Sequence, residues 1–218
     1  MKKIFFGLSF FVAFTLKAQT VNCRTSEAMQ YVFDHDSKSK EENDNFENFT
    51  REYIKEAQKS NTTSCYVIPV VFHVYGTAQS GYSINNPLII NAVNRLNTDF
   101  HGLNSDYNAV HNLFQSSKAC MPDITFALAQ LDPNGNTTTG IVYHPVASGF
   151  GNASGYDALI AADAWDNYKY MNIYIQNDLY NDNTFTNSGI AWYPNTSMST
   201  NKTARIVYNG AYLASNTT

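Results

Sequence analysis

The stretch Tyr66-Val67-Ile68-Pro69-Val70-Val71-Phe72-His73-Val74-Tyr75 decides how the rest of this 218-residue chain is read. It is dense in β-branched and aromatic residues, nearly continuous in apolar side chains after Pro69, and stopped by Gly76. Such a run suits a strand buried on both faces. Pro69 has no ladder donor, so it belongs near the strand's start or opposite an unpaired position.

Downstream, Asn86-Pro87 predicts a helix start, with Asn as N-cap and Pro at the first helical position. Ile89, Val93, Leu96 and Phe100 then share one face of a helix that Gly102 ends. Residues 103–118 read as a polar loop with a short turn of helix. Residues 123–131 place Ile124, Phe126 and Leu128 on one side, as a second strand closed by the turn Asp132-Pro133-Asn134-Gly135. Residues 140–143 form a short extended piece, 147–155 a glycine-rich, flexible loop, and 156–165 a short helix. Residues 170–176, 189–193 and 204–208 are the third, fourth and fifth strands. The succession predicts an α/β (α+β) layered domain.

Upstream, Met1-Lys2-Lys3, an apolar run over 4–16 and Lys17-Ala18-Gln19 read as a secretory signal peptide cleaved after Ala18. The run is shorter than the roughly 20 residues of a membrane span. The expectation is a secreted, extracellular protein with no membrane span after signal removal. Residues 25–60 are polar, and Phe46, Phe49, Tyr53 and Ile54 trace one helical face. That predicts either a short amphipathic helix packed on something else or a loosely ordered pro-segment. The expected divisions are 1–18 signal peptide, 19–64 pro-segment and linker, and 65–218 the globular part. A hydrophobic content of 44% is enough for a core. A net charge of −4 without a basic cluster argues against a nucleic-acid partner.

The chemistry-bearing residues form no complete active site by themselves. The five histidines, His35, His73, His101, His111 and His144, include no His-Glu-x-x-His pair, and no Gly-x-Ser-x-Gly is present. His73 lies among apolar neighbours and reads as a core histidine. His101 and His111 read as surface loop residues. Asp163 and Asp166 read as helix-end or surface charges rather than an acid–base pair. The acidic cluster at 178–182 offers oxygens to calcium but lacks the EF-hand alternation of donors.

The order of motifs adds a resemblance. Ile68-Pro69-Val70-Val71-Phe72-His73-Val74 is followed by Leu96-Asn97-Thr98-Asp99-Phe100 and Ile124-Thr125-Phe126-Ala127-Leu128-Ala129. Asp132-Pro133 with Gly135 comes next, then Thr139-Gly140-Ile141, Tyr170-Met171-Asn172-Ile173-Tyr174-Ile175 and Gly189-Ile190-Ala191-Trp192-Tyr193-Pro194. Over residues 68–208 this series resembles the N-terminal part of cytophagalysin- and pappalysin-like metalloproteases of the metzincin clan.

The resemblance implies a zinc endopeptidase whose upper subdomain is a twisted five-stranded mixed sheet with a backing helix. In that family a helix bearing His-Glu-x-x-His-x-x-Gly-x-x-His follows the fifth strand, and its histidines hold zinc. No residue here matches that motif, so the zinc ligands are expected beyond residue 218 and the chain is expected to be an inactive fragment. The expected partners are protein or peptide substrates. Gly189, Ile190, Ala191 and Trp192 match the family's edge strand, which binds extended substrate by adding a ladder. Cys23 stands where a pro-segment cysteine would block the zinc, although Arg24 replaces the glycine of that pattern. Cys65 and Cys120 precede strands that the family lays side by side and parallel, which implies a disulfide between them. A non-catalytic exported module that binds peptides with the same sheet is the alternative reading.

Overall fold

The computed structural model describes residues 24–57, 66–118, 123–153, 155–193 and 195–214. The signal peptide, Cys23, the linker at 61–64, Cys65, Cys120 and Pro194 lie outside the described residues.

Two helices come first, α1 (Thr25–His35) and α2 (Ser37–Ala57). The long apolar run then forms β1 (Tyr66–Tyr75), and a small hairpin of β2 (Ala78–Gln79) and β3 (Tyr82–Ser83) follows. Next are α3 (Asn86–Phe100), a 3-10 turn at Asn112–Ser117, β4 (Ile124–Leu128) and β5 (Ile141–His144). The remainder comprises α4 (Asp157–Asp163), β6 (Met171–Ile175), β7 (Gly189–Ala191), α5 (Thr196–Thr200) and β8 (Ile206–Tyr208).

The sheet runs β4-β1-β6-β8-β7, parallel except for β7. β5 also pairs with β1, along Phe72–Tyr75, whereas β4 covers Tyr66–Val70. Six strands therefore fill five positions, with β4 and β5 end to end on one edge of β1. Gly140 makes the return to that edge: its φ is +70°, and a Cβ there would lie 2.7 Å from the Ala129 backbone nitrogen. A side chain would meet both strain and a clash.

Alternation along β1 creates two cores. Val70, Phe72 and Val74 face α3, where they meet Leu88, Ile89 and Val93 together with Ile173, Ile175 and Leu213. His73 and Tyr75 face the other side, where Tyr75 packs with Phe150, Ile160, Tyr174, Trp192 and Val207. α3 starts one residue earlier than the Asn-Pro pair suggests: Asn85 is the cap and accepts from the Leu88 N–H at 3.0 Å. Asn97 pins α3 to β4, donating to Phe126 O at 2.8 Å and accepting from Phe126 N–H at 2.7 Å.

Two expectations need correction. The 147–155 loop is not a loose glycine-rich segment, because Phe150 is buried in the second core. Its N–H donates to Gln176 Oε1 at 3.0 Å, and Gly151 N–H donates to Leu179 O at 2.7 Å. Gly149 and Gly151 serve close packing, since a Cβ on the first would run into the Tyr156 ring and one on the second would lie 2.7 Å from Leu179 O. The polar N-terminal segment forms two full helices, and the packing falls on α1 through Ala28 and Met29. Phe46, Phe49, Tyr53 and Ile54 of α2 are more than half exposed. α2 is instead supported along its surface by Lys40–Asp44 and Glu52–Lys55 pairs. Among the described residues no helix is long and apolar enough to cross a membrane.

Candidate functional site

β7 is the outermost strand and antiparallel to β8. Its inner hydrogen bonds are marked by Asn209 N–H to Ser188 O at 2.8 Å and Trp192 N–H to Arg205 O at 3.5 Å. By the alternation of an antiparallel ladder, Gly189, Ala191 and Tyr193 turn their backbone groups outward. Those outward groups meet α1. Ala191 N–H donates to Thr25 Oγ1 at 3.3 Å, and Tyr193 N–H donates to Met29 Sδ at 3.1 Å. Side chains of a helix thus occupy two donors that an edge strand normally offers to another strand.

The four expected edge residues divide accordingly. Gly189 and Ala191 lie with their backbone on the open side. Ile190 and Trp192 point their side chains into the core, at 3% and 6% exposure. Gly189 has a packing reason as well, since a Cβ there would come within 2.8 Å of the Tyr208 ring and 3.1 Å of Val207 O.

Arg205 holds the strand end in place. Its buried guanidinium donates to the carbonyls of Phe150 (2.9 Å), Thr203 (2.9 Å) and Asn152 (2.7 Å), and reaches Asp157 at 3.4 Å. Its planar face lies 4.0 Å from the centre of the Trp192 ring. Burial works against the charge, while Asp157 and Tyr174 favour it. Sequence reasoning did not single out Arg205. The available signal is one charged residue at the start of the otherwise apolar Ile206-Val207-Tyr208.

Behind the strand lies a polar cluster that sequence separation had hidden. His73 Nε2 is 3.0 Å from Asn172 Oδ1, and His73 Nδ1 is 3.2 Å from His144 Nε2. The Asn172 amide is oriented by its neighbours: its Nδ2 donates to Trp165 O and its Oδ1 accepts from Trp165 N–H. His73 Nε2 must then carry the proton, and its bare Nδ1 accepts from His144 Nε2–H. That leaves His144 Nδ1 facing Asp163 Oδ2 at 3.6 Å, and the same carboxylate oxygen accepts from Tyr75 O–H at 2.7 Å. Burial holds the His73 pKa down at about 4, with Asn172 opposing. Burial also lowers the His144 pKa, against the pull of Asp163. Burial and then Asp163 raise that of Tyr75.

This cluster does not fit a zinc ion, because both ring nitrogens of His73 are already engaged. Among the described residues no group of three or more His, Cys, Asp or Glu side chains is arranged to hold a metal. At the candidate calcium cluster, Asp178 accepts the backbone N–H groups of Tyr180, Asp182 and Asn183, at 3.3, 3.2 and 2.9 Å. Its oxygens are engaged in shaping their own loop. Asp166 sits at the surface 3.6 Å from Lys169, separate from Asp163.

Residues 154–218 match the peptidase M43 family, pregnancy-associated plasma protein-A. Among solved structures, mature mirolysin from Tannerella forsythia in complex with a cleaved peptide is 30% identical, with a TM-score of 0.56. That match covers 70% of this chain and 56% of the mirolysin chain. These likenesses support a pappalysin-like metzincin family. A second pappalysin-like relative, a T. forsythia promirolysin mutant, is 26% identical with a TM-score of 0.61, covering 88% of this chain and 60% of its own. Mirolysin in complex with compound 9 is 28% identical, with a TM-score of 0.56 and coverages of 70% and 55%. The chain thus spans a little over half the length of these metzincins. Comparison with curated protein sequences returns no match.

Proposed function

We propose that this chain supplies the sheet of a secreted, zinc-dependent metalloendopeptidase, in which β7 receives substrate main chain and α1–α2 form a pro-segment covering it. The observation that carries this reading is the occupation of the outward Ala191 and Tyr193 amides by Thr25 and Met29. Vacated, those donors lie two residues apart on one edge, the spacing at which an extended peptide presents successive inward carbonyls.

The relatives support both halves of the proposal. Mature mirolysin holds a cleaved peptide. The match to promirolysin extends over 88% of the chain and so has to include residues ahead of β1, since residues 66–218 make up about 70% of it. Zinc dependence enters through the family. When bound, zinc would activate a water for peptide hydrolysis; the described residues provide no ligand set for it. Cys23 as a zinc-blocking thiolate, a Cys65–Cys120 disulfide and export by the signal peptide belong to the same proposal.

In the peptide-cleaving enzyme, Ala191→Pro deletes an outward N–H. The expected result is a loss in kcat/KM of roughly tenfold or more, the scale of one well-placed hydrogen bond. A variant with an unchanged thermal melt and unchanged kcat/KM would take β7 out of the substrate site. The disulfide has a separate check. β1 and β4 pair in parallel from Tyr66 opposite Ile124, and Tyr66 N–H donates to Asp123 O at 2.8 Å. Both cysteines therefore precede the same end of that ladder. Non-reducing peptide mapping is expected to recover Cys65 joined to Cys120; a Cys23 linkage to either would refute the pairing.

A further inference from the structure

α1 and α2 hold the sheet domain very differently. α1 buries Ala28 and Met29 among Ile190, Trp192 and Met198 and engages the Ala191 amide of β7 and the Tyr193 amide just past its end. Phe46, Phe49, Tyr53 and Ile54 of α2 are all more than half exposed. A groove of about 760 Å³, lined by Met29, Phe33, Phe46, Tyr168 and Tyr193, runs between α2 and the chain after β7. The bridge across this groove is Glu42. Its carboxylate accepts the Thr196 N–H at 2.8 Å and the Thr196 hydroxyl on its other oxygen. Lys38, one helical turn earlier, stands 3.8 Å from the same carboxylate.

Thr196 is the first residue of α5, in the short connection from β7 back to β8. One carboxylate therefore ties the solvated helix to the segment that leaves the edge strand. α1 and α2 are separated only by Asp36, whose side chain accepts from the Lys38 and Ser39 N–H groups and the Ser39 hydroxyl at the start of α2. A hold on α2 is thus transmitted to α1 through a fixed corner.

We infer that Glu42 is an autoinhibitory latch: by gripping Thr196 it keeps the α1–α2 pair seated over β7, and its release uncovers the Ala191 and Tyr193 donors. This rests on the reading of β7 as the peptide edge. The latch is independent of any cysteine, so it acts with Cys23 reduced, oxidised or replaced. Two donors on one carboxylate make a charge-assisted grip that is strong for its size. The exposed apolar face of α2 adds little to hold the pair down once that grip is lost.

Amide hydrogen exchange on the 218-residue chain at pH 7 tests the latch residue by residue. In the unaltered chain Ala191 and Tyr193 are expected to be protected. Glu42→Ala should speed exchange at both by roughly tenfold or more, as local opening replaces a held contact. Amides inside β1 and β6 should be unchanged. Glu42→Gln, which keeps one acceptor oxygen, should fall between, and Thr196→Val, which removes the hydroxyl but not the N–H, should give a smaller increase at the same two amides. Unchanged protection at Ala191 and Tyr193 in Glu42→Ala would overturn the latch and leave the covering helix intact. Fast exchange at both amides in the unaltered chain would instead overturn the covering itself, and the peptide-edge reading with it. Should Glu42→Ala loosen the whole sheet, the Thr196→Val result decides.

Discussion

Replacing Arg205 by methionine is expected to lower the unfolding free energy by about 3–5 kcal/mol, the range for removing one partner of a buried charged network. Methionine keeps much of the length of the side chain but none of its donors. The carbonyls of Phe150, Asn152 and Thr203 would be left buried or half-buried without their guanidinium, and Trp192 would lose the cation on its face. For a domain of this size the loss corresponds to a fall in Tm on the order of 10 °C. Arg205→Lys should recover only part of it, because one ammonium cannot serve carbonyls spread round a planar fork. Thermal melts of both variants check the claim, and a methionine variant melting within 2–3 °C (approximately 1 kcal/mol) of the parent would show that the network is not holding the strand end.

Acid is expected to weaken the fold well before the carboxylates titrate, through His73. Its folded pKa of about 4 lies below the unfolded value near 6.5, so the unfolded chain binds more protons between those limits. The sign follows directly. The contribution is fully present above pH 6.5 and is lost as the pH falls through 4, for a total of about 3 kcal/mol. His144, also shifted down by burial, acts in the same direction. Asp36, Glu42 and Asp132 have lowered pKa values, so their losses begin at the ordinary carboxylate values and overlap only the acid end of this window. Denaturant unfolding at pH 7, 5.5 and 4 measures the slope. His73→Gln, which stays neutral throughout, should flatten it; a parent chain equally stable at pH 7 and 4 would mean that His73 is not held neutral.

These two groups also mark the limit of what a linear reading reaches. Strand β1 was legible because its hydrophobic run is local and its meaning does not depend on partners. The Asn-Pro start of α3, its apolar face and the Asp-Pro-Asn-Gly turn were legible for the same reason, with the cap displaced by one residue. The sheet's five positions came from the order of motifs rather than from any one of them. The edge strand was placed at Gly189, Ile190, Ala191 and Trp192, and β7 lies there. Which backbone groups face outward depended on register with β8, a relation between residues about 17 positions apart that leaves no mark in either segment.

The sequence by itself determined the α/β class, the central strand and the backing helix, because hydrophobic period, Pro and Gly act within a few residues of where they stand; the candidate edge came only through the resemblance carried by the order of motifs. Only the tertiary structure decided what occupies that edge. Thr25 and Met29 are ordinary helix residues until α1 lies against Ala191 and Tyr193, more than 160 positions away. Phe46, Phe49, Tyr53 and Ile54 have the periodicity of a packed face, yet the structure leaves them exposed and uses Ala28 and Met29 instead. Periodicity states that a helix has an apolar side; burial depends on whether a complementary surface comes within van der Waals reach, and that is a property of the assembled sheet. The same holds for His73, Asn172, His144 and Asp163, brought into one chain of hydrogen-bonding groups from four separate segments by the parallel register of β1 with β5 and β6.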